Sequence, residues 1–295
     1  MFITKYRKWF IGFSAVLVLA GISIVGVKGL DYSIEFTGGS VLEVSYEEKP
    51  EITEVRSALT DIGFGDTLVQ PFGENGYVVK TRSLTEDERK QLVGAMDIDE
   101  GTMTIERFNS IGPSVGKELR TKSLYALIAV SIGIILFVAY AFRHVARPVS
   151  SWKYGMVAVI ALLHDMIIPV GILTLLGTEV DTLYVVGLLS ILGLSVNDTI
   201  VVFDRIRENL SDNTEKNIKE NFTTTVGNAI NQTMTRSIFT SLTLIVVLLA
   251  LYFAGPVATQ TLSLVLLIGM IIGTYSSIFL ASPLLTLLVN KKVKK

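Results

Sequence analysis

Apolar residues in this chain fall into long unbroken runs instead of short alternations. Six runs stand out, at about 9–28, 122–142, 155–176, 183–203, 237–254 and 260–290. A helix rises 1.5 Å per residue and the hydrocarbon layer of a bilayer is roughly 30 Å thick, so roughly 20 residues cross it once. The pattern predicts six transmembrane helices. The last run exceeds one crossing and predicts a span that tilts or leaves the bilayer at one end. The first run follows basic residues, as a signal peptide does. Its apolar stretch is about 19 residues, longer than a cleaved leader's, and no small-x-small site follows, so it reads as a retained span.

Residues 29–121 obey a different period. Val41, Leu42, Val44 and Tyr46 suit a strand, and Ile52, Val55, Leu59 and Ile62 suit a helix that ends at Gly63. Leu68–Phe72, a turn at Gly73–Gly76, and Tyr77–Thr81 read as a hairpin. Ser83 followed by Glu86 reads as a capping box that opens a helix through Leu92 and Met96, and a last strand covers about 102–108. The order β-α-β-β-α-β is that of an α+β, ferredoxin-like domain. The division expected is residues 1–28 as N-terminus and first span, 29–121 as the folded domain, 122–290 as five further spans with an inner loop at 204–236, and 291–295 as a basic tail. The inner loop carries 5 basic and 5 acidic side chains and is expected to lie as a helix along the membrane surface.

Composition agrees with a membrane chain: 50% of residues are hydrophobic and the mean hydropathy is +0.53. The formal net charge of −1 hides a segregation. Residues 29–121 hold 9 Lys/Arg against 18 Asp/Glu, a net of −9. Lys5, Arg7 and Lys8, then Arg143, Arg147 and Lys153, then Lys291, Lys292, Lys294 and Lys295, are basic clusters without acids. The turns near 177–182 and 253–260 carry no basic residue. The positive-inside rule puts both termini in the cytoplasm and the acidic domain outside.

Ionisable groups within a span cost about 2.5–3.5 kcal/mol each, so each one is a functional candidate. The fourth run carries Ser195, Asn197, Asp198 and Thr199 and leads to Asp204 and Arg205. Asp198 is about six residues, roughly 9 Å, from that inner end. Arg236 opens the fifth run, after Asn228, Asn231, Gln232 and Thr235. An Arg side chain is long enough to climb and meet Asp198 from a neighbouring helix; it also suits a plain surface anchor. A carboxylate whose cation partner comes and goes changes its proton affinity, which would couple ion passage to helix movement. His164 and Asp165 lie near the middle of the third run. Being adjacent, they are expected on different faces, with at most one lining a given path. Gly269 and Gly273, with Gly187, Ser190 and Gly193, suit close helix packing.

Covalent chemistry finds little to build on. There is no cysteine, the histidines are His144 and His164, and no phosphate-binding Gly-rich loop occurs. No cofactor, metal or nucleic-acid partner is expected. The energy source within reach is the membrane gradient, about 2.3 kcal/mol per charge per 100 mV.

Three stretches are similar to the SecF family: IGPSVGKELR at 111–120, GLSVNDTIVVFDRIRENL at 193–210 and NAINQTMTRSIFTSLT at 228–243. The family pattern GIDFTGG stands here as SIEFTGG at 33–39, with Ser33 and Glu35 in place of the usual Gly and Asp. The resemblance implies an auxiliary subunit of bacterial protein export that pairs with SecD, a six-helix relative, the two making a pseudosymmetric twelve-helix unit like the half-repeats of RND transporters. It implies work with the SecYEG channel and the SecA motor on a translocating preprotein, driven by proton-motive force. It also implies a place in the bacterial cytoplasmic membrane. The family's aspartate of NDT and arginine of TRS, linked with proton conduction, fall on Asp198 and Arg236. Two other readings stay open: an RND-type exporter of small molecules, which usually has two six-helix halves on one chain, and a scaffold that conducts nothing.

Overall fold

The computed structural model describes residues 2–98, 101, 103–141 and 150–288. Arg143, His144, Arg147 and the basic tail lie outside the described residues. The chain divides into two units, Tyr32–Leu124 and the remainder.

The first unit is α+β. After a short helix α3 (Ile34–Thr37) come β1 (Gly39–Tyr46), α4 (Ile52–Asp61), β2 (Leu68–Phe72), β3 (Gly76–Thr81), α5 (Glu86–Met96) and β4 (Met103–Ile111). The sheet order is β2-β3-β1-β4, every pairing antiparallel. That is the ferredoxin-like split arrangement. Alternate residues of one face, Leu42, Val44, Tyr46, Val69, Tyr77 and Val79, bury against Val55 and Leu59 of α4 and Leu92 and Met96 of α5. The capping box of α5 is Thr85 with Glu88, not Ser83 with Glu86. The two boxes overlap in the sequence; in the fold Leu84 N–H is held by Ser40 Oγ of β1 at 3.1 Å, and the helix begins after Thr85, whose hydroxyl accepts from Glu88 N–H.

The paired glycines at 38 and 39 are dictated by geometry. Both have positive φ, +76° and +141°. A Cβ on Gly38 would sit 2.7 Å from Pro113 Cα, and one on Gly39 would sit 2.7 Å from Thr81 O. Only glycine fits both the turn and the close approach.

The second unit holds α1 (Phe2–Lys5), α2 (Arg7–Lys28), most of α6 (Pro113–Ala141), α7 (Ser151–Leu176), α8 (Thr182–Glu215), α9 (Phe222–Ala254), α10 (Gln260–Ser276) and α11 (Ser282–Leu287). Six stretches are long and apolar enough to cross a membrane: Arg7–Lys28, Pro113–Ala141, Trp152–Leu176, Thr182–Glu215, Phe222–Ala254 and Val257–Leu287. The chain is a multi-pass membrane protein. No separate surface helix forms over 204–236. Instead α8 and α9 run on past the apolar stretch and meet at a turn over 216–221. Asn213 and Asn228 both donate to Glu220, at 3.1 and 2.9 Å, and clamp that turn. The long final run has an internal break. Residues Ser277–Ala281 form a π-helical turn between α10 and α11. Pro283, in the first turn of α11, has no N–H for the carbonyl four residues earlier, and the widened turn makes room for its ring.

Glycines set the closest helix contacts. A Cβ on Gly171 of α7 would lie 2.5 Å from Gly21 Cα of α2. One on Gly269 would lie 2.1 Å from Ile191 Cδ1, and one on Gly187 would lie 2.7 Å from Val265 Cγ1, so α8 and α10 pack through small positions on both sides. Gly193 is exposed and takes no part, and the half-buried Ser190 bonds its own helix at Val186 O.

Candidate ion-coupling site

Polar side chains within the apolar helices gather around two carboxylates. Asp165 of α7 is 0% exposed and His164 is 2% exposed. They do not diverge as adjacent helix positions should, because His164 Nδ1 lies 2.8 Å from Asp165 Oδ1. The other carboxylate oxygen accepts from Ser195 of α8 and, at 2.7 Å, from Ser276 of α10. Asp165 is thus tied to two neighbouring helices. Pro169 follows four residues later, and α7 loses the bond that residue 169 would have donated to the Asp165 carbonyl. The helix is loosened at its buried acid. Tyr275 of α10 stacks on His164 with ring centroids 6.1 Å apart, and its hydroxyl accepts from Ser14 of α2 at 3.3 Å. Among the described residues, His164 Nε2 is buried with no hydrogen-bond partner.

Asp198 of α8 is half-buried, and Asn197 beside it is exposed. Its Oδ2 accepts from Ser241 of α9 at 3.4 Å. The expected pairing with Arg236 does not form in this chain. Arg236 is exposed and makes no ion pair among the described residues. The reason is helical phase. Ser241 is the α9 residue level with Asp198, and Arg236 is five residues before it, roughly 7.5 Å along the axis and about 140° around it. The two charges attract through space without touching.

Of the residues singled out in sequence, the fold brings His164, Asp165 and Ser195 together and leaves Asp198 with Ser241. Gln232 bonds Asn209 at 3.0 Å near the α8–α9 turn and belongs to neither carboxylate. The hydroxyls Ser14, Ser241, Thr274, Tyr275, Ser276 and Ser277 were not read from sequence. The cluster Tyr275-Ser276-Ser277 in an otherwise apolar run was the available signal. Among the described residues no group of three or more His, Cys, Asp or Glu forms a metal site.

Two family descriptions match the chain. "Protein export membrane protein SecD/SecF, C-terminal" covers residues 93–291, and "SecD/SecF GG Motif" covers residues 23–49, which include Gly38 and Gly39. Protein translocase subunit SecF of Thermobaculum terrenum is 38% identical, over 98% of this chain and 94% of that protein. The SecF subunit of Escherichia coli O157:H7 is 37% identical, over 95% and 85%. The crystal structure of SecDF, a translocon-associated membrane protein from Thermus thermophilus, superposes with a TM-score of 0.81 at 30% identity. The match covers 95% of this chain and spans 37% of that longer one. The chain belongs to the SecD/SecF family of protein-export membrane proteins, on its SecF branch.

Proposed function

We propose that this chain pairs with a SecD subunit in the bacterial cytoplasmic membrane and uses proton-motive force to promote preprotein movement at the outer side. It carries no covalent chemistry; its partners are SecD, the SecYEG channel, the SecA motor and the translocating preprotein. Both termini lie in the cytoplasm and the acidic domain lies outside, following the charge asymmetry of the connections. Asp198 is the coupling carboxylate, with Asn197 next to it in sequence and Arg236 acting on it through space, and Asp165 and His164 act deeper in the bundle.

One observation carries the ion-coupling reading. Asp198 sits in an apolar span with a single hydroxyl contact at 3.4 Å. A carboxylate so poorly satisfied within a bilayer is costly, so it takes a proton, an ion or a partner's cation there. Asp198 is half-buried and Asn197 and Arg236 are exposed, so polar groups in these two apolar spans are left for a second helical bundle to cover. The longer SecDF chain, of which this chain matches 37%, fits such a second bundle supplied by SecD.

The test is replacement of a host's own SecF by this chain, with secretory-precursor export as readout. Restored export supports the proposal. Unrestored export, with accumulation of small molecules that the chain then expels, supports the RND-exporter reading instead.

A further inference from the structure

Four consecutive side chains where α10 passes into the π-turn, Thr274–Ser277, reach four different helices. Thr274 Oγ1 donates to Ser241 Oγ of α9 at 2.6 Å. Tyr275 takes the Ser14 hydroxyl of α2. Ser276 Oγ donates to Asp165 Oδ2 of α7 at 2.7 Å, and Ser277 Oγ lies 3.0 Å from Thr199 Oγ1 of α8. Through Thr274 and Ser276, two residues apart, α10 touches the surroundings of both the buried Asp165 and the half-buried Asp198.

Each of these hydroxyls has one proton and more than one acceptor in reach. Ser276 Oγ is also 3.0 Å from Gly273 O. Thr274 Oγ1 is also 2.7 Å from Met270 O. Ser241 Oγ, 3.4 Å from Asp198 Oδ2, is 2.8 Å from Ser237 O. We propose that Asp165 is a second proton-exchanging carboxylate, and that the Thr274–Ser277 stretch, where α10 passes into the π-turn, couples its proton occupancy to that of Asp198. The proposal rests on the reading that Asp198 exchanges the coupling ion.

The proton bookkeeping closes at both sites. With Asp165 ionised, Ser276 donates to its carboxylate. With Asp165 protonated at Oδ1, the carboxyl donates to the vacated His164 Nδ1, and the Ser276 proton turns from the now neutral, weaker acceptor Oδ2 to Gly273 O. At the other end, ionised Asp198 is served by Ser241, which accepts from Thr274. Protonated Asp198 donates to Ser241, Ser241 turns to Ser237 O, and Thr274 turns to Met270 O. In each case loading a carboxylate redirects a hydroxyl onto α10's own backbone carbonyls, and such back-bonding bends a helix. The π-turn Ser277–Ala281 and Pro283 lie immediately beyond, where the ladder is already irregular and yields most easily. Both acids act on one bendable element, so each biases the other. A proton enters at the bare His164 Nε2 while the Nδ1 proton passes to Asp165, which leaves the imidazole neutral in its other tautomer. The titratable or charged groups facing the two acids, among the described residues, are His164 and the Tyr275 stacked on it for Asp165, and Arg236 through space for Asp198.

The test is site-resolved labelling by dicyclohexylcarbodiimide, which reacts with protonated carboxyls within the membrane. It is read by mass spectrometry against pH on the chain assembled with SecD. The proposal expects Asp165 to label, and Asp165→Asn to move the Asp198 midpoint by about 0.5 unit or more. That movement should vanish when Thr274→Val is already present. An Asp198 midpoint indifferent to Asp165→Asn overturns the coupling. If Asp165→Asn does not accumulate, Thr274→Val alone must move the Asp165 midpoint and Thr274→Ser must restore it; no movement overturns the coupling equally. Labelling does not depend on export, so a failure of the export function and a failure of this coupling read out separately.

Discussion

His164 and Asp165 are consecutive in α7, yet His164 Nδ1 lies 2.8 Å from Asp165 Oδ1 and both side chains are buried. Adjacent positions on a helix are about 100° apart, so the contact requires both side chains to turn into one interface. The bond missing at Pro169 gives α7 the slack to do so.

Loss of that bond leaves a buried carboxylate one donor short. His164→Leu is expected to lower the unfolding free energy by about 1–2 kcal/mol. His164→Asn, whose amide can donate from nearly the same place, should lose about half as much. Thermal unfolding of the purified chain in detergent ranks the two; the opposite ranking would show that the imidazole's bulk matters more than its donor.

Close helix approach predicts a second ranking. A Cβ at Gly171 meets the backbone of Gly21, which cannot move aside, whereas one at Gly269 meets the side chain of Ile191. Gly171→Ala should therefore destabilise by about 3 kcal/mol and Gly269→Ala by about 1–2 kcal/mol. Ile191→Val should recover part of the second loss and none of the first. The same unfolding measurement checks all three variants.

Tyr46 predicts an alkaline limit for the α+β unit. Its hydroxyl donates to Met96 O at 2.8 Å. Burial, and then Tyr77 and Asp97 nearby, push the phenol above its usual value of about 10. The folded state thus keeps a proton that the unfolded chain gives up. The stability this contributes is complete below about pH 10 and declines as the pH rises further. Tyr46→Phe should cost about 1 kcal/mol at neutral pH and flatten the alkaline decline. Tyr77, pushed up by burial and then by Glu51 and Glu54, leaves a smaller residual slope.

At the acid end the responsive group is Glu88. The Arg82 guanidinium, and then the backbone N–H and hydroxyl of Thr85, hold its carboxyl down at about 2. The sign is opposite to that of Tyr46: the contribution is present above the ordinary carboxylate range and is lost as the pH falls toward 2. Arg82 is exposed and Glu88 partly so, and solvent screens the pair, so the effect should be small. Unfolding midpoints from about pH 5 downward should fall less steeply in Glu88→Gln than in the parent chain.

Apolar runs and strand alternation carried the architecture in the sequence, because spans and half-buried strands need those periods to bury their faces. Ionisable residues were equally legible, since a charge in a span is conspicuous. Ser276 and Thr274 were not. A hydroxyl can satisfy itself on its own helix's carbonyl, so it costs little in a membrane and leaves no mark on hydropathy. The Gly21–Gly171 contact was hidden for another reason: neither glycine has a second glycine four residues away in its helix, whereas Gly269 and Gly273 announce themselves by that spacing. The Asp198–Arg236 pairing was argued from depth alone, and helical phase turns Arg236 away.

The central claim is that the Asp198 carboxylate couples ion movement to export. Its most direct test is secretory-precursor export in cells carrying Asp198→Asn, with normal abundance and normal association with SecD established first. The account predicts a strong export defect in an assembled complex. Normal export would contradict it, and would leave a scaffold that holds translocase subunits together and conducts nothing.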